Sequence, residues 1–421
     1  MSVYFNSANN LSGDITDCLY SDNTGIKHSI SSIWGNKDNS VVKLWGKDGE
    51  KIDDPYAVAP VDAYTEWRYT LDDINNTITL VQYLNYNNTD VIVYDYYRIN
   101  EKVYKTKIAS SEAKTMYENY MFANKANLET VLFGNHVNVS ETKSMAYMFG
   151  NCGKLTTINL GNNFDTNNVT NMEGMFCFCQ ALESLDVSGF DTGKVVNMNK
   201  MFFNCHMLKN LDVSYFNTSN VITMVEMFCN CTSLKTINMS GFDTSNVESM
   251  KHMFSGCTEL TTLNIANFDT RNVTSMNSMF YLCKSLSEID VRNFNTEKVT
   301  DMTQMFSYCT FETIDISSFD TSNVTKMFSM FSGCTSLKNL DLSRFNTSNV
   351  TDMHSMFNQC TSLTSLDLRN FDTRNVTVMT CMFQDSKNLK TIYANRNLWS
   401  TAKATTTYMF RNCGTSSVTY I

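Results

Sequence analysis

The stretch from Asn246 to Phe268, NVESMKHMFSGCTELTTLNIANF, is one unit of a repeat that fills most of the chain. The Met-Phe pair inside it recurs with its Met at 121, 148, 175, 201, 227, 253, 279, 305, 330, 356, 382 and 409, at gaps of 25 to 27 residues. A period this regular predicts stacked coils. Each unit divides by its apolar spacing. Val247, Met250, Phe254 and Cys257 stand at i, i+3, i+7 and i+10, which predicts one face of a short helix, with Thr244 as its N-cap and Asp243 near its positive end. Leu260, Leu263, Ile265 and Phe268 read L-x-x-L-x-L-x-x-F, and the alternation at the centre predicts a short strand. A unit of this length cannot bury enough apolar surface by itself, so neighbouring coils must pair and stack. The expected fold is an α/β repeat solenoid of about eleven coils, each a short strand plus a short helix, over residues 111–421.

The register follows from the same comparison. Phe164, Phe190, Phe216, Phe242, Phe268, Phe294, Phe319, Phe345 and Phe371 should lie one above another. The 25-residue unit reads CTFETIDI where another reads CTSLKNLDL, and Phe311 takes the leucine position three before Ile314. The missing residue falls in the corner before the strand, where a solenoid can absorb it.

Residues 1–110 differ in character. They hold three of the four Trp (Trp34, Trp45, Trp67) and 11 of the 20 Tyr, and they lack the Met-Phe pair. Runs at Tyr69–Leu71, Thr77–Leu84, Asp90–Tyr97 and Lys102–Ile108 read as strands, with turns at Asn75-Asn76 and Asn87-Asn88. Residues 62–110 are expected to form a small all-β module capping the first coil, and 1–61 a β-rich attachment segment. The terminal units depart from the pattern, as solenoid ends do. Lys125 stands where Cys is usual, Ser386 breaks the cysteine phase, and Cys413 is followed by a short closing strand, SSVTYI.

The unit M-F-x-x-C-x-S-L-x-x-L-D-L-S-x-F-D-T-S-N-V-T-x-M resembles the BspA-type leucine-rich-repeat family of bacterial surface proteins. Met330 to Met353, MFSGCTSLKNLDLSRFNTSNVTDM, differs from it only by Asn346 for Asp, and the likeness spans about 120–413. It implies a leucine-rich-repeat-like solenoid and a role in surface attachment or adhesion. The stretch from Trp67 to Ile108 is similar to the β module found ahead of such repeats, including in virion proteins of gut bacteriophages.

Composition narrows the function. A formal charge of −9 argues against a nucleic-acid backbone as partner. The opening MSVYFNSANNLSGDITDCLY has no basic n-region and no apolar h-region, and no stretch approaches the roughly 18 apolar residues of a membrane span. The ending RNCGTSSVTYI has no lipidation box. A cytoplasmic protein, or one released by lysis within a larger particle, is therefore expected, with no membrane partner. Only 2 prolines and as many as 26 methionines point to a recurring interior position that selects Met.

Three rows of repeated residues could carry chemistry. Ten of the 14 cysteines fall four residues after an anchor Met: Cys152, Cys179, Cys205, Cys231, Cys257, Cys283, Cys309, Cys334, Cys360 and Cys413. A ladder gives each thiol two equivalent neighbours rather than one disulfide partner. No C-x-x-C occurs, and His28, His136, His206, His252 and His354 do not cluster, so these read as small buried hydrophobes and no metal or cofactor is expected. A second row runs along the strands: Asn159, Asp186, Asp212, Asn238, Asn264, Asp290, Asp315, Asp341 and Asp367. Carboxylates stacked about 5 Å apart repel by roughly 0.8 kcal/mol per pair in water, which folding tolerates. The row is either a solvated face or a ligand surface. The third row, Asp165, Asp191, Asn217, Asp243, Asp269, Asn295, Asp320, Asn346 and Asp372, is each time followed by Thr and suits Asx turns.

No nucleotide loop, nucleophile elbow or zinc-protease helix appears, and catalytic residues are normally unique, whereas these repeat. The expectation is a non-enzymatic binding protein. The first reading is a phage virion protein whose N-terminal region joins other virion proteins, while the solenoid attaches to a host-surface glycan or protein. A bacterial cell-surface adhesin is the alternative, and an intracellular interaction scaffold a third; a homo-oligomer is compatible with each. The candidate ligand residues are Asp290, Asp315, Asp341 and Asp367 with Arg292 and Arg369, in the half of the array farthest from the N-terminal module.

Overall fold

A computed structural model describes residues 15–21, 27–30, 44–45, 51–52, 59 and 62–421, except 101, 116 and 162. Most of the expected attachment segment, 1–61, lies outside the described residues. Its described parts are two antiparallel pairs: β1 (Ile15–Ser21) with β2 (Lys27–Ile30), and β3 (Leu44–Trp45) with β4 (Lys51–Ile52).

Beyond them a four-stranded sheet forms from β5 (Trp67–Asp72), β6 (Thr77–Tyr83), β8 (Tyr96–Ile99) and β9 (Lys102–Ile108), in the order β5-β6-β9-β8. The run expected as one strand over 90–97 is broken at Tyr94-Asp95. Its first half, β7 (Asp90–Val93), leaves the sheet and pairs in parallel with β10 (Thr130–Phe133) of the first coil. The Asp95 carboxylate at the break is buried and accepts the His136 amide at 2.6 Å, while Thr106 donates to the Tyr94 and Asp95 carbonyls. The sheet is thus spliced into the array. Trp67 and Tyr83 also sit at ring distances of 5.7 and 6.3 Å from Phe122, where they begin the aromatic stack that follows.

From there the chain winds in stacked coils, with Val, Met, Phe, Cys and Leu of each interior unit fully buried in one continuous core, apart from Ser386 at the cysteine position of one and Phe311 at the leucine position of another. The expected short helix is absent, and the residues that suggested it form an arc of three-residue turns. In one coil Met253, Ser255 and Cys257 donate their amides to the carbonyls of Met250, His252 and Phe254, three residues back, each at 3.2 Å. The intervening amides of Met250, His252, Phe254 and Gly256 point out of the coil and donate to Ser275, Asn277, Met279 and Tyr281 of the next, at 3.2, 2.8, 3.0 and 2.7 Å. An α-helix would close every amide on its own i−4 carbonyl and leave none for the neighbour. The alternation needs left-handed residues, and two per coil supply it: His252 (φ 55) with Gly256 (φ 75), Glu226 (φ 58) with Asn230 (φ 59), and Gln304 (φ 54) with Tyr308 (φ 60). For a residue with a Cβ that backbone costs about 1–2 kcal/mol, which the cross-coil hydrogen bonds offset.

Thr244 is not a helix cap either. It is buried, and its hydroxyl donates to the Asp269 carbonyl of the next coil at 3.0 Å and accepts the Asp269 amide at 2.8 Å, as the Thr218 hydroxyl one coil back accepts the Asp243 amide at 2.8 Å. Asn246 donates backward to the Ser219 carbonyl at 2.7 Å, and the Cys257 thiol backward to Phe228 at 3.2 Å. The Asp243 carboxylate accepts the Ser245 amide at 2.9 Å, the Asx turn anticipated for its row.

Pairing between coils is uneven around the circumference. Single parallel bridges run unbroken from Ser144 through Ser249 and Ser275 to Thr405 along the arc. On the leucine side, paired strands occur near the ends and at β12 (Asn210–Asp212) with β13 (Thr236–Asn238). The far end carries β14 (Ser365–Leu368), β15 (Thr391–Ala394) and β16 (Thr419–Tyr420), in that order. Among the described residues no backbone hydrogen bond joins 262–265, 287–291, 313–316 and 339–342 to one another. Ring spacings agree with this. The Met-Phe row stacks at 5.3 Å (Phe122–Phe149) to 6.0 Å (Phe254–Phe280), the second row at 6.1 Å (Phe164–Phe190) to 6.5 Å (Phe294–Phe319). The coils converge at the arc and fan open at the leucine face.

Candidate functional site

Alternation along the leucine segments buries Leu263 and Ile265 and exposes Asn264, so the expected polar row does reach solvent. Each member also works locally. Asp290, Asp315, Asp341 and Asp367 accept the amide two residues on, at 3.1, 3.0, 2.9 and 3.1 Å, and Asn264 does the same at 3.2 Å. That duty explains why Asp and Asn interchange along the row.

Arg292 and Arg369 do not simply bracket an acidic stripe. Arg292 grips Asp290 through Nε at 2.9 Å and Nη2 at 2.7 Å, and Arg369 grips Asp367 through Nε at 2.9 Å and Nη2 at 2.6 Å. These bonds hold the Asp290 carboxyl down at about 2 and lower that of Asp367. Asp315 is lowered by the Ser317 hydroxyl and amide, and Asp341 by the Ser343 amide and hydroxyl. All four are charged at neutral pH, but two are ion-paired with their own guanidinium, while Asp315 and Asp341 feel Arg292 and Arg344 only from beyond ion-pair distance. The fanned coils bring Asp290, Arg292 and Asp315 together around a groove of 480 Å³ with Thr262, Asn264 and Glu288; Asp341, Asp367 and Arg369 lie outside it.

A larger groove, 940 Å³, opens nearer the N-terminal module and was not foreseen. One side is β11 (Thr157–Asn159) with Leu160, Gly161 and Asn163; the other is Asp186, Ser188 and Gly189; Phe164 and Phe190 form the floor. Its sequence signal is a unit with one extra residue. Three residues separate Leu160 from Phe164, where two separate Val187 from Phe190. Gly161, at φ 69, passes so close to the Gly134 carbonyl that a side chain would collide with it.

Among the described residues no group of three His, Cys, Asp or Glu could hold a metal ion, and no helix is long and apolar enough to cross a membrane. Fold and face together define a stacked-coil repeat protein of leucine-rich-repeat type. The family described as "Mycoplasma protein of unknown function, DUF285" matches residues 91–209, 226–335 and 308–419. The chain belongs to that family. No curated protein matches it. Among solved structures it is similar to a leucine rich cell surface protein from Faecalibacterium prausnitzii, at 18% identity over 84% of this chain and 93% of that one, with a TM-score of 0.48. A leucine-rich repeat protein from Bacteroides ovatus is 17% identical over 83% and 91%, at a TM-score of 0.41. A leucine rich repeat protein of T. pallidum is 15% identical over 48% and 90%, at 0.30.

Proposed function

We propose that this chain is a non-enzymatic binding protein displayed outside a bacterial cell, with the fanned leucine face as its docking surface. The observation that carries the reading is that side chains there are exposed coil after coil, while the arc is closed by its own cross-coil hydrogen bonds. Solenoids bind through such long repeated faces. A phage virion protein built the same way is the second reading, favoured by the likeness of residues 67–108 to modules that precede such repeats in virion proteins; its N-terminal region would then join the particle. Mass spectrometry of washed cell-surface fractions and of purified virions separates the two, and recovery only from cytosol overturns both.

The surface itself is tested by Asp→Asn at 315, 341 and 367 together. Asn159, Asn238 and Asn264 hold the same turns without charge, so the triple variant should fold like the parent. Weaker attachment to cells supports a polar or cationic ligand on the C-terminal half. Undiminished attachment makes those carboxylates a solvated face.

A further inference from the structure

We infer that the 940 Å³ groove lined by 157–161 and 163–165 on one side and by 186 and 188–190 on the other is a binding site for a neutral saccharide; this deepens the displayed-surface reading and rests on it. Four observations converge. First, the groove lies at the unit with an added residue, and insertions in repeat proteins tend to fall on the binding face. Second, the coils are parted there: β11 pairs with β10 on one side, and among the described residues no backbone hydrogen bond joins 157–160 to 183–187 on the other.

Third, the lining matches the chemistry of a sugar. Thr157 offers a hydroxyl that donates and accepts, and Ser188, whose hydroxyl donates to Asp186, an oxygen that accepts. Asn159 and Asp186 each engage one side-chain oxygen with the amide two residues on, at 2.9 Å, which leaves the Asn159 amide group as donor and a carboxylate oxygen as acceptor. Half-buried Ile158 and Leu160 supply apolar surface for the C–H face of a ring. No cation lines the groove, and Asp165 with Asp186 would repel an anionic ligand. Fourth, at the place of Gly189 the next coil carries Tyr215, which is 67% exposed. An exposed aromatic ring one coil beyond a polar groove is a platform on which the next sugar unit can stack. The volume falls within the usual range for small-ligand sites, roughly 300–1,000 Å³.

Gly189 provides the test, because a Cβ there meets nothing within 4 Å and Gly189→Tyr merely copies the neighbouring coil. The full chain is titrated calorimetrically with maltotriose, cellotriose, tri-N-acetylchitotriose and lacto-N-tetraose. At least one should bind. Gly189→Tyr, which fills the groove, and Tyr215→Ala, which removes the platform, should each weaken that binding about tenfold or more. Ser318→Tyr, the same change at a distant coil, should leave it unaltered. Failure of all four sugars to bind, or binding indifferent to Gly189→Tyr, overturns the site. A chain that attaches to cells but binds no saccharide overturns the groove alone; one that binds saccharide at the groove but attaches to no cell supports the groove and overturns the displayed-surface reading.

Discussion

Ser386 donates its hydroxyl to the Phe357 carbonyl of the preceding coil at 2.7 Å, in the position where Cys360 donates its thiol to Phe331 at 3.1 Å. The residue that interrupts the cysteine phase therefore preserves its bond. The row selects a small side chain with a donor, and burial alone does not describe it. Ser386 also accepts the Cys360 amide at 3.1 Å, so Ser386→Cys should cost about 1 kcal/mol, and Cys257→Ser should change stability by less than about 1 kcal/mol. Cys257→Ala leaves the Phe228 carbonyl without its donor and opens a small cavity, at a cost of about 1–3 kcal/mol. Denaturant midpoints of the three variants decide the point; equal losses for Ser and Ala would reduce the row to packing.

The same burial governs reactivity. It pushes the Cys283 and Cys334 thiols up to about 12 and the Cys257 thiol well above its ordinary value. Iodoacetamide at pH 8 should leave these thiols untouched in the native chain and reach half-buried Cys381 before them. After denaturation without reductant, all ladder thiols should label. Mass spectrometry that found them paired as disulfides would contradict the ladder.

Lys125 opens the array where later coils carry Cys. It is 1% exposed, its ammonium makes no hydrogen bond, and it lies 3.5 Å from the centre of the Tyr86 ring. Burial pushes it down to about 8 from 10.5. Between those values the unfolded chain binds a proton that the folded chain does not, so stability rises with pH across about 8 to 10.5 and the full penalty persists below. Lys125→Met should stabilise the chain by roughly 1–3 kcal/mol at pH 7 and flatten that rise. Thermal midpoints of both proteins at pH 7 and pH 10 check the sign; an unstable Met variant would make the cation–π contact with Tyr86 the stronger effect.

Phe268→Ala should cost about 3–5 kcal/mol, since the side chain is 2% exposed and stacks on Phe242 at 6.4 Å. The loosening should extend into the coils on both sides, because each depends on its neighbours. Hydrogen exchange altered only within 260–275 would contradict a nearest-neighbour stack.

The period, the coil boundaries and the phenylalanine ladders were legible in the sequence because they depend on apolar spacing alone. The arc was misread for a physical reason: i, i+3, i+7 and i+10 suit a helix and also a run of three-residue turns, and only the partner of each amide distinguishes them. One clue was present. The residue before the ladder cysteine is Asn or Gly in six of the ten units (Asn151, Asn204, Asn230, Gly256, Gly333 and Asn412), the types that tolerate a left-handed backbone, although Phe178, Leu282, Tyr308 and Gln359 adopt it in the other four. His252 and Gln304, equally left-handed, gave no such hint. The acidic row was visible, but its pairing with Arg292 and Arg369 was not, because i+2 neighbours on a regular strand would face the same side without folding back on each other. The 940 Å³ groove was missed because the extra residue beside it looked like a mere irregularity of period.

The bonds that join the coils are all addressed one unit forward or one unit back: Thr244 to Asp269, Asn246 to Ser219, Cys257 to Phe228. Interior units share this set, and only some junctions add contacts of their own, such as Tyr147 with Glu173 and Asn277 with Asp301. Units are therefore largely interchangeable parts, and recombination between them could insert or excise a whole coil while leaving the shared bonds of both new junctions satisfied. The length of the displayed face can change in steps of one coil during evolution, independently of the chemistry written on it.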